Sequence, residues 1–107
     1  MVPFEMALLS YMAEGGSMEE ITYAGVLEKA IHKWGYGPQL RMAMEECGEL
    51  VAAIAQYERG RVTSAALIEE VADVLIMMHQ LRLILGPEFV DEAYNKKIER
   101  LRKRLND

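Results

Sequence analysis

The chain has 107 residues and a net charge of −5, and 51% of its residues are hydrophobic. This predicts one folded domain and excludes a chain disordered by composition or a nonspecific nucleic-acid binder. The single cysteine, Cys47, excludes a disulfide framework, and with no signal-peptide pattern and no membrane-length apolar run we expect a cytoplasmic protein.

The first 17 residues are predicted to form a leader that is separate from the domain at 18–107. Val2 to Glu14 has the apolar spacing of a short helix, and two glycines follow it. Ser17 and Glu20 form a capping box for a second helix over 18–33. Met18 is an alternative start of translation, which would make the leader dispensable.

A loop rich in glycine and aromatic residues separates this helix from the next. His32, just before the loop, is either a ligand or base, or a solvated histidine near the helix C-terminus. Trp34 and Tyr36 either stack on a nucleobase or pack over the end of a helical bundle. The residue types alone leave both alternatives open.

The third helix is predicted from Pro38, a favoured first helical residue, to about Gly60, a favoured stop. Its main apolar stripe is Leu40, Met44, Cys47, Val51 and Ile54. Glu46 and Glu49 fall roughly opposite that stripe, which by itself is typical of a solvated face.

The fourth helix, capped by Thr63 or Ser64 and ending at Leu85, is apolar nearly all round, so we expect it to be buried. Glu70 and Asp73 lie about 60° apart on it. Acids on a buried face are unfavourable unless something neutralises them.

The short turn around Gly60 makes the two acid-bearing helices antiparallel neighbours, which can bring Glu46 and Glu49 to Glu70 and Asp73. Because carboxylates repel one another, such a group of acids either stays apart or binds protons or cations. Oxygen ligands without histidine or cysteine favour Mg²⁺, or Mn²⁺, over zinc or copper. Because Mg²⁺ commonly bridges carboxylates to phosphates, this pattern indicates phosphate-ester or phosphoanhydride chemistry.

The last helix is predicted from Glu88 to Leu105, with Val90, Tyr94, Ile98, Leu101 and Leu105 along one arc. Lys97 and Arg100 border that arc. Their positive charges either stabilise the C-terminal end of the helix through its dipole, or bind a phosphate. The whole pattern predicts an all-α fold, an antiparallel bundle of four to five helices. The chain has no Walker A loop, GxSxG, zinc spacing or Glu-x-x-His pair.

Two acidic motifs together carry a family resemblance. Glu45-Glu46-Cys47-Gly48-Glu49 is followed, after twenty intervening residues, by Glu70-Val71-Ala72-Asp73. Gln39-Leu40 precedes the first motif, and Lys97-Ile98-Glu99-Arg100-Leu101 ends the pattern. From about Trp34 to Leu105 the chain resembles the all-α nucleotide pyrophosphohydrolases, namely the MazG family, the dimeric dUTPases and the dCTP pyrophosphatases. It is most similar to the short single-domain MazG-like proteins of phages and bacteria.

The resemblance implies hydrolysis of a nucleoside triphosphate to a monophosphate and pyrophosphate. It implies a homodimer or homotetramer whose active sites are completed across chains. The metal ligands would be Glu46, Glu49, Glu70 and Asp73, with Glu45 as an accessory acid. Lys97, with Arg100, would offset phosphate charge, and the base would lie near Trp34, Tyr36 or Tyr94, with Asn95 and Gln39 as polar contacts.

Two other functions fit the same residues. A non-catalytic helical oligomerisation or regulatory module would explain the apolar fourth helix without a metal. A metal-dependent phosphoesterase acting on another small phosphate would use the same acids.

Overall fold

The computed structural model describes residues 18–107, which form four helices: α1 Met18–Trp34, α2 Tyr36–Glu58, α3 Ser64–Leu85 and α4 Pro87–Leu105. This range contains no strand, so the all-α prediction is confirmed. No helix in residues 18–107 is both long and apolar enough to cross a membrane. The predicted leader helix and the capping residue Ser17 lie outside the described residues.

The helix ends follow local signals. Gly35, with φ 89°, lets the chain turn between α1 and α2, and α2 starts at Tyr36 rather than at the predicted Pro38. Pro38 then lies within the first turn, where a missing N–H costs nothing. Of the two predicted caps of α3, Thr63 and Ser64, the structure uses Thr63, whose side-chain oxygen accepts a hydrogen bond from the Ala66 N–H at 3.3 Å.

A hairpin of α2 and α3 forms the body of the protein. The two helices pack on each other extensively and are joined by the short turn at 59–63, so they run antiparallel. The helix α1 contacts both of them. The buried hydrophobic residues Ile31, Ala43 and Met77 come one from each of these helices, so the described core is small and lies where the three helices meet.

Most of the large apolar side chains of the hairpin remain uncovered. Val51 is 68% exposed on α2, and Leu75 is 53% exposed on α3. The prediction that the second acid-bearing helix is buried is therefore wrong for the single chain, since only Met77 and Gln80 are buried on α3. Two sets of uncovered residues follow helical spacing, in steps of three, four or seven: Leu40, Met44, Val51 and Ile54 on α2, and Ile68, Val71, Leu75 and Met78 on α3. We call these two sets the outer stripes.

The last helix, α4, contacts α3 and no other described helix. An ion pair fixes its start, since the Arg82 guanidinium donates two hydrogen bonds of 2.7 Å to the two carboxylate oxygens of Asp91. This contact holds the pKa of Asp91 below its ordinary value. No residue of α4 is buried, so within residues 18–107 its apolar arc is largely uncovered.

We expect Gly86→Ala to lower the free energy of unfolding by about 1–3 kcal/mol, because Gly86 joins α3 to α4 at φ 109°, which an L-residue adopts only with strain. A Cβ there would also lie 2.7 Å from Cδ2 of Phe89, which forces the ring to move. Thermal unfolding checks this. Gly48→Ala is the control, since nothing lies within 4 Å of that Cβ position and alanine favours a helix. An equal Tm for Gly86→Ala and wild type would contradict the expectation.

Candidate metal centre

Three acids converge where α2 and α3 face each other. Glu46 and Glu49 lie one turn apart on α2, and Glu70 lies on α3. One carboxylate oxygen of each residue lies within 4.8 Å of the others. The spacing of three residues puts the first two acids on neighbouring positions of one helix, and the antiparallel hairpin brings the third to them.

Nothing in the described residues balances this charge. Glu46 and Glu70 are partly buried, and the Oε2 atom of each is shielded from solvent without a hydrogen-bond partner in the described structure. The ion pairs found in residues 18–107 are elsewhere, namely Arg82–Asp91, Lys96–Glu92 and Arg102–Glu99. Desolvated carboxylates without a counter-charge are a strong indication that a proton or a cation binds there.

The same crowding raises two pKa values. Burial, then the charges of Glu49 and Asp73, raises the pKa of Glu46 above its ordinary value of 4.5. Burial, then the same two charges, raises the pKa of Glu70. Asp73 lies outside the three-oxygen group, yet its charge acts on both residues. The four acids named by the sequence motifs therefore interact electrostatically.

The donor set suits a hard divalent cation. All three converging groups offer carboxylate oxygens, and the group contains no histidine or cysteine. Oxygen-only ligation favours Mg²⁺ or Mn²⁺ over zinc or copper. A bound divalent ion would also supply the missing partner for the shielded oxygens of Glu46 and Glu70.

The raised pKa of Glu70 predicts how stability depends on pH without metal. Because the folded state binds this proton more tightly than the unfolded state, stability falls as pH rises from about the ordinary pKa of 4.5 through the raised value. In EDTA, Glu70→Gln should therefore have a higher Tm than wild type at pH 7, and the difference should shrink toward pH 4.5. Thermal unfolding across this range measures it, and a lower Tm for the variant at pH 7 would contradict it.

The predicted aromatic contacts lie away from the acids in the single chain. Trp34 and Tyr36 are 56% and 60% exposed at the turn between α1 and α2. Tyr36 precedes Glu46 by ten residues, which is about 15 Å along the helix. The Lys33 ammonium lies 5.6 Å from the centre of the Trp34 ring. Glu45 is exposed on α2 beside the acid group.

The predicted residues of the last helix form no ion pair with the acid group in the described structure. All four are exposed on α4, which contacts only α3 among the described helices: Tyr94, Asn95, Lys97 and Arg100. The apolar arc that Lys97 borders is not buried in the described structure, because no residue of α4 is buried.

Two buried amides lie toward the open end of the hairpin of α2 and α3, away from the turn at 59–63. Gln39, named by its place ahead of the first motif, is 6% exposed, and Gln80 is 4% exposed. Sequence reasoning missed Gln80. The available signal was a polar residue two turns after Asp73, in the sector of α3 that also holds Met77 and Ile84.

The chain is similar to a known protein family over most of its length. The family model of the MazG nucleotide pyrophosphohydrolase domain matches residues 38–106, from the start of α2 to the end of α4. No curated protein and no solved structure matches the chain. The matched region contains all the converging acids.

Proposed function

The chain belongs to the MazG nucleotide pyrophosphohydrolase family, and from this membership we propose that it hydrolyses a nucleoside triphosphate to the monophosphate and pyrophosphate, with Mg²⁺ or Mn²⁺ as cofactor. The observation that carries the proposal is the convergence of Glu46, Glu49 and Glu70 within 4.8 Å, without a counter-charge from the described residues. A cytoplasmic location, where nucleoside triphosphates are available, is part of the proposal.

The acids have two roles in this proposal, as metal ligands and as support for those ligands. Glu46, Glu49 and Glu70 would hold the cation, with Asp73 as the fourth ligand and Glu45 supporting the group from its solvent side. The bound ion would neutralise the triphosphate and the acids, and would lower the pKa of a coordinated water.

The protein's own side chains would accept the proton, bind the phosphates and contact the nucleoside. A carboxylate of the acid group accepts the proton of the attacking water, which approaches the phosphorus in line with the leaving pyrophosphate. Lys97 and Arg100 donate hydrogen bonds to phosphate oxygens and offset the charge that develops during bond cleavage. Tyr94 and Asn95 lie on the same helix and would contact the nucleoside, with Trp34 and Tyr36 as candidate stacking partners.

Assembly into a homodimer or homotetramer is needed to bring these basic residues to the acids. The outer stripes have the three-four spacing that packs helices against a partner, and they leave large apolar side chains uncovered in one chain. Residues 96–104 contain six basic side chains and one acidic one. This basic end complements an acid group, so we propose that Lys97 and Arg100 of the partner subunit complete each site.

Product analysis tests the proposed reaction. The protein is incubated with the ribo- and deoxyribonucleoside triphosphates and Mg²⁺, and monophosphate and pyrophosphate are measured together. Equal amounts of the two products are expected, with none in EDTA. Nucleoside diphosphate with inorganic phosphate, or no turnover of any triphosphate, would contradict the proposal. Hydrolysis of another small phosphate instead would favour the phosphoesterase.

A non-catalytic oligomerisation module is the second candidate, and the exposed outer stripes are the observation that favours it. Such a module requires the apolar surface but not the acids. It would therefore keep its oligomeric state in EDTA and show neither turnover nor metal-dependent stabilisation.

A further inference from the structure

The last helix has few contacts that fix its direction. Among the described helices α4 contacts only α3, and it buries no residue. The two helices meet at Gly86, and a glycine permits more backbone conformations than other residues do. The direction of α4 therefore depends on side-chain contacts with α3.

The Arg82–Asp91 ion pair is such a contact. The guanidinium of Arg82 on α3 donates a hydrogen bond of 2.7 Å to each carboxylate oxygen of Asp91 on α4. Two parallel hydrogen bonds between planar groups fix the orientation of the groups as well as their distance. The other two ion pairs found in residues 18–107 both lie within α4, so they cannot set its direction.

Both residues of this ion pair are placed where they affect the proposed assembly. Arg82 follows Leu75 by seven residues, on the same side of α3, so the ion pair adjoins the outer stripe of that helix. On α4, Asp91 and Lys97 lie about 120° apart, at opposite edges of the apolar arc. Holding Asp91 against α3 therefore turns Lys97 away from α3, with Arg100 one turn further along.

The exposure of the ion pair separates its effect on orientation from its effect on stability. The side chains of Arg82 and Asp91 are 37% and 51% exposed. Ion pairs this exposed contribute little to the free energy of unfolding, because water screens their charges. The two-bond geometry is retained nevertheless, which suits a contact that orients a helix.

We propose that Arg82 and Asp91 are positioning residues: their ion pair fixes the direction and rotation of α4, so that Lys97 and Arg100 are presented to the acid group of a partner subunit. The inference rests on the proposed function and deepens it. Lys97 lies six residues after Asp91, about 9 Å along the helix. A tilt of about 20° at the ion pair would displace it by about 3 Å, enough to lower a rate substantially.

Asp91→Asn tests the proposal, since asparagine keeps the shape of the side chain and loses the charge that pairs with Arg82. The kcat for pyrophosphate release should fall about ten- to a hundredfold, while the Tm changes by a few degrees at most. Glu92→Gln is the matched control, because Glu92 pairs with Lys96 inside α4, and its kcat should stay within about twofold of wild type. A wild-type kcat in Asp91→Asn, or an equal loss in both variants, would overturn the inference.

A second background distinguishes positioning from a general structural role. If the ion pair acts through the two basic residues, Asp91→Asn should change kcat by less than about twofold in a protein that already carries Lys97→Ala and Arg100→Ala. An ion pair needed for the fold as a whole would lower kcat again in that background. A further loss of about tenfold there would overturn the positioning role.

Distances between spin labels test the direction of α4 without turnover. Labels are attached at Glu69→Cys on α3 and Lys103→Cys on α4, both exposed positions, in a protein that carries Cys47→Ala. Dilution with unlabelled protein restricts the measured distances to those within one chain. Pulsed EPR should give a narrow distribution in this protein and with Glu92→Gln, and a broader one with Asp91→Asn. Equal distributions would overturn the inference. A broader distribution with Asp91→Asn, in a protein that releases no pyrophosphate, would overturn only the hydrolase proposal.

Discussion

Glu70→Gln is expected to lower kcat/KM for pyrophosphate release by about a hundred- to a thousandfold, the usual effect of removing one group that stabilises charge in a transition state. Glu70 faces Glu46 and Glu49 across the hairpin and is the one residue of the three-oxygen group that α3 contributes. The amide keeps the shape of the side chain but loses the charge that would hold a divalent cation. Steady-state pyrophosphate release at saturating Mg²⁺ measures the effect.

Glu69→Gln is the matched control for this variant. Glu69 is the preceding residue on α3, is exposed, and loses the same charge on substitution. It lies outside the converging group, so its kcat/KM should stay within a few-fold of wild type. An equal loss in both variants would mean that net charge, and not the acid group, controls the rate.

Leu75→Arg is expected to convert the proposed homodimer or homotetramer into monomers. Leu75 is 53% exposed in the single chain, so the substitution costs the isolated fold little, but it places a charge in the middle of an outer stripe. Sedimentation velocity at one protein concentration gives the oligomeric state. Turnover should fall with dissociation, because Lys97 and Arg100 of the partner subunit would then be absent from the site.

Leu75→Met keeps the stripe apolar and serves as the control, with oligomeric state and turnover close to wild type. Two results would contradict the proposed interface. One is an unchanged sedimentation coefficient for Leu75→Arg. The other is a dissociated Leu75→Arg protein with wild-type activity, which would show that each chain carries a complete site.

The helix limits were predictable because their signals are local. Thr63 caps α3 with its own side chain, and Gly86 ends α3 where Pro87 starts α4. The meeting of Glu46 with Glu70 was also predictable, since it needs only a three-residue spacing and a short turn at Gly60. The start of α2 at Tyr36, two residues before the predicted Pro38, depends on the conformation of Gly35.

The packing of the helices was less predictable because it depends on which surfaces meet. The apolar stripe of α2 was expected to face the core, yet the chain buries Gln39 and the small residue Ala43 and leaves Val51 exposed. Small residues let the hairpin and α1 approach closely, so the larger apolar residues remain exposed. The direction of α4 follows from the Arg82–Asp91 ion pair and the φ of Gly86, which no apolar periodicity encodes.

Thermal unfolding with and without Mg²⁺ tests most directly whether the converging acids form a cation site. At a Mg²⁺ concentration about a hundred times the dissociation constant, wild type should gain about ten degrees in Tm over its value in EDTA. Glu70→Gln should gain little, while Glu69→Gln should behave as wild type does. An equal gain in wild type and Glu70→Gln, or no gain in wild type, would contradict the assignment of these acids to a divalent ion.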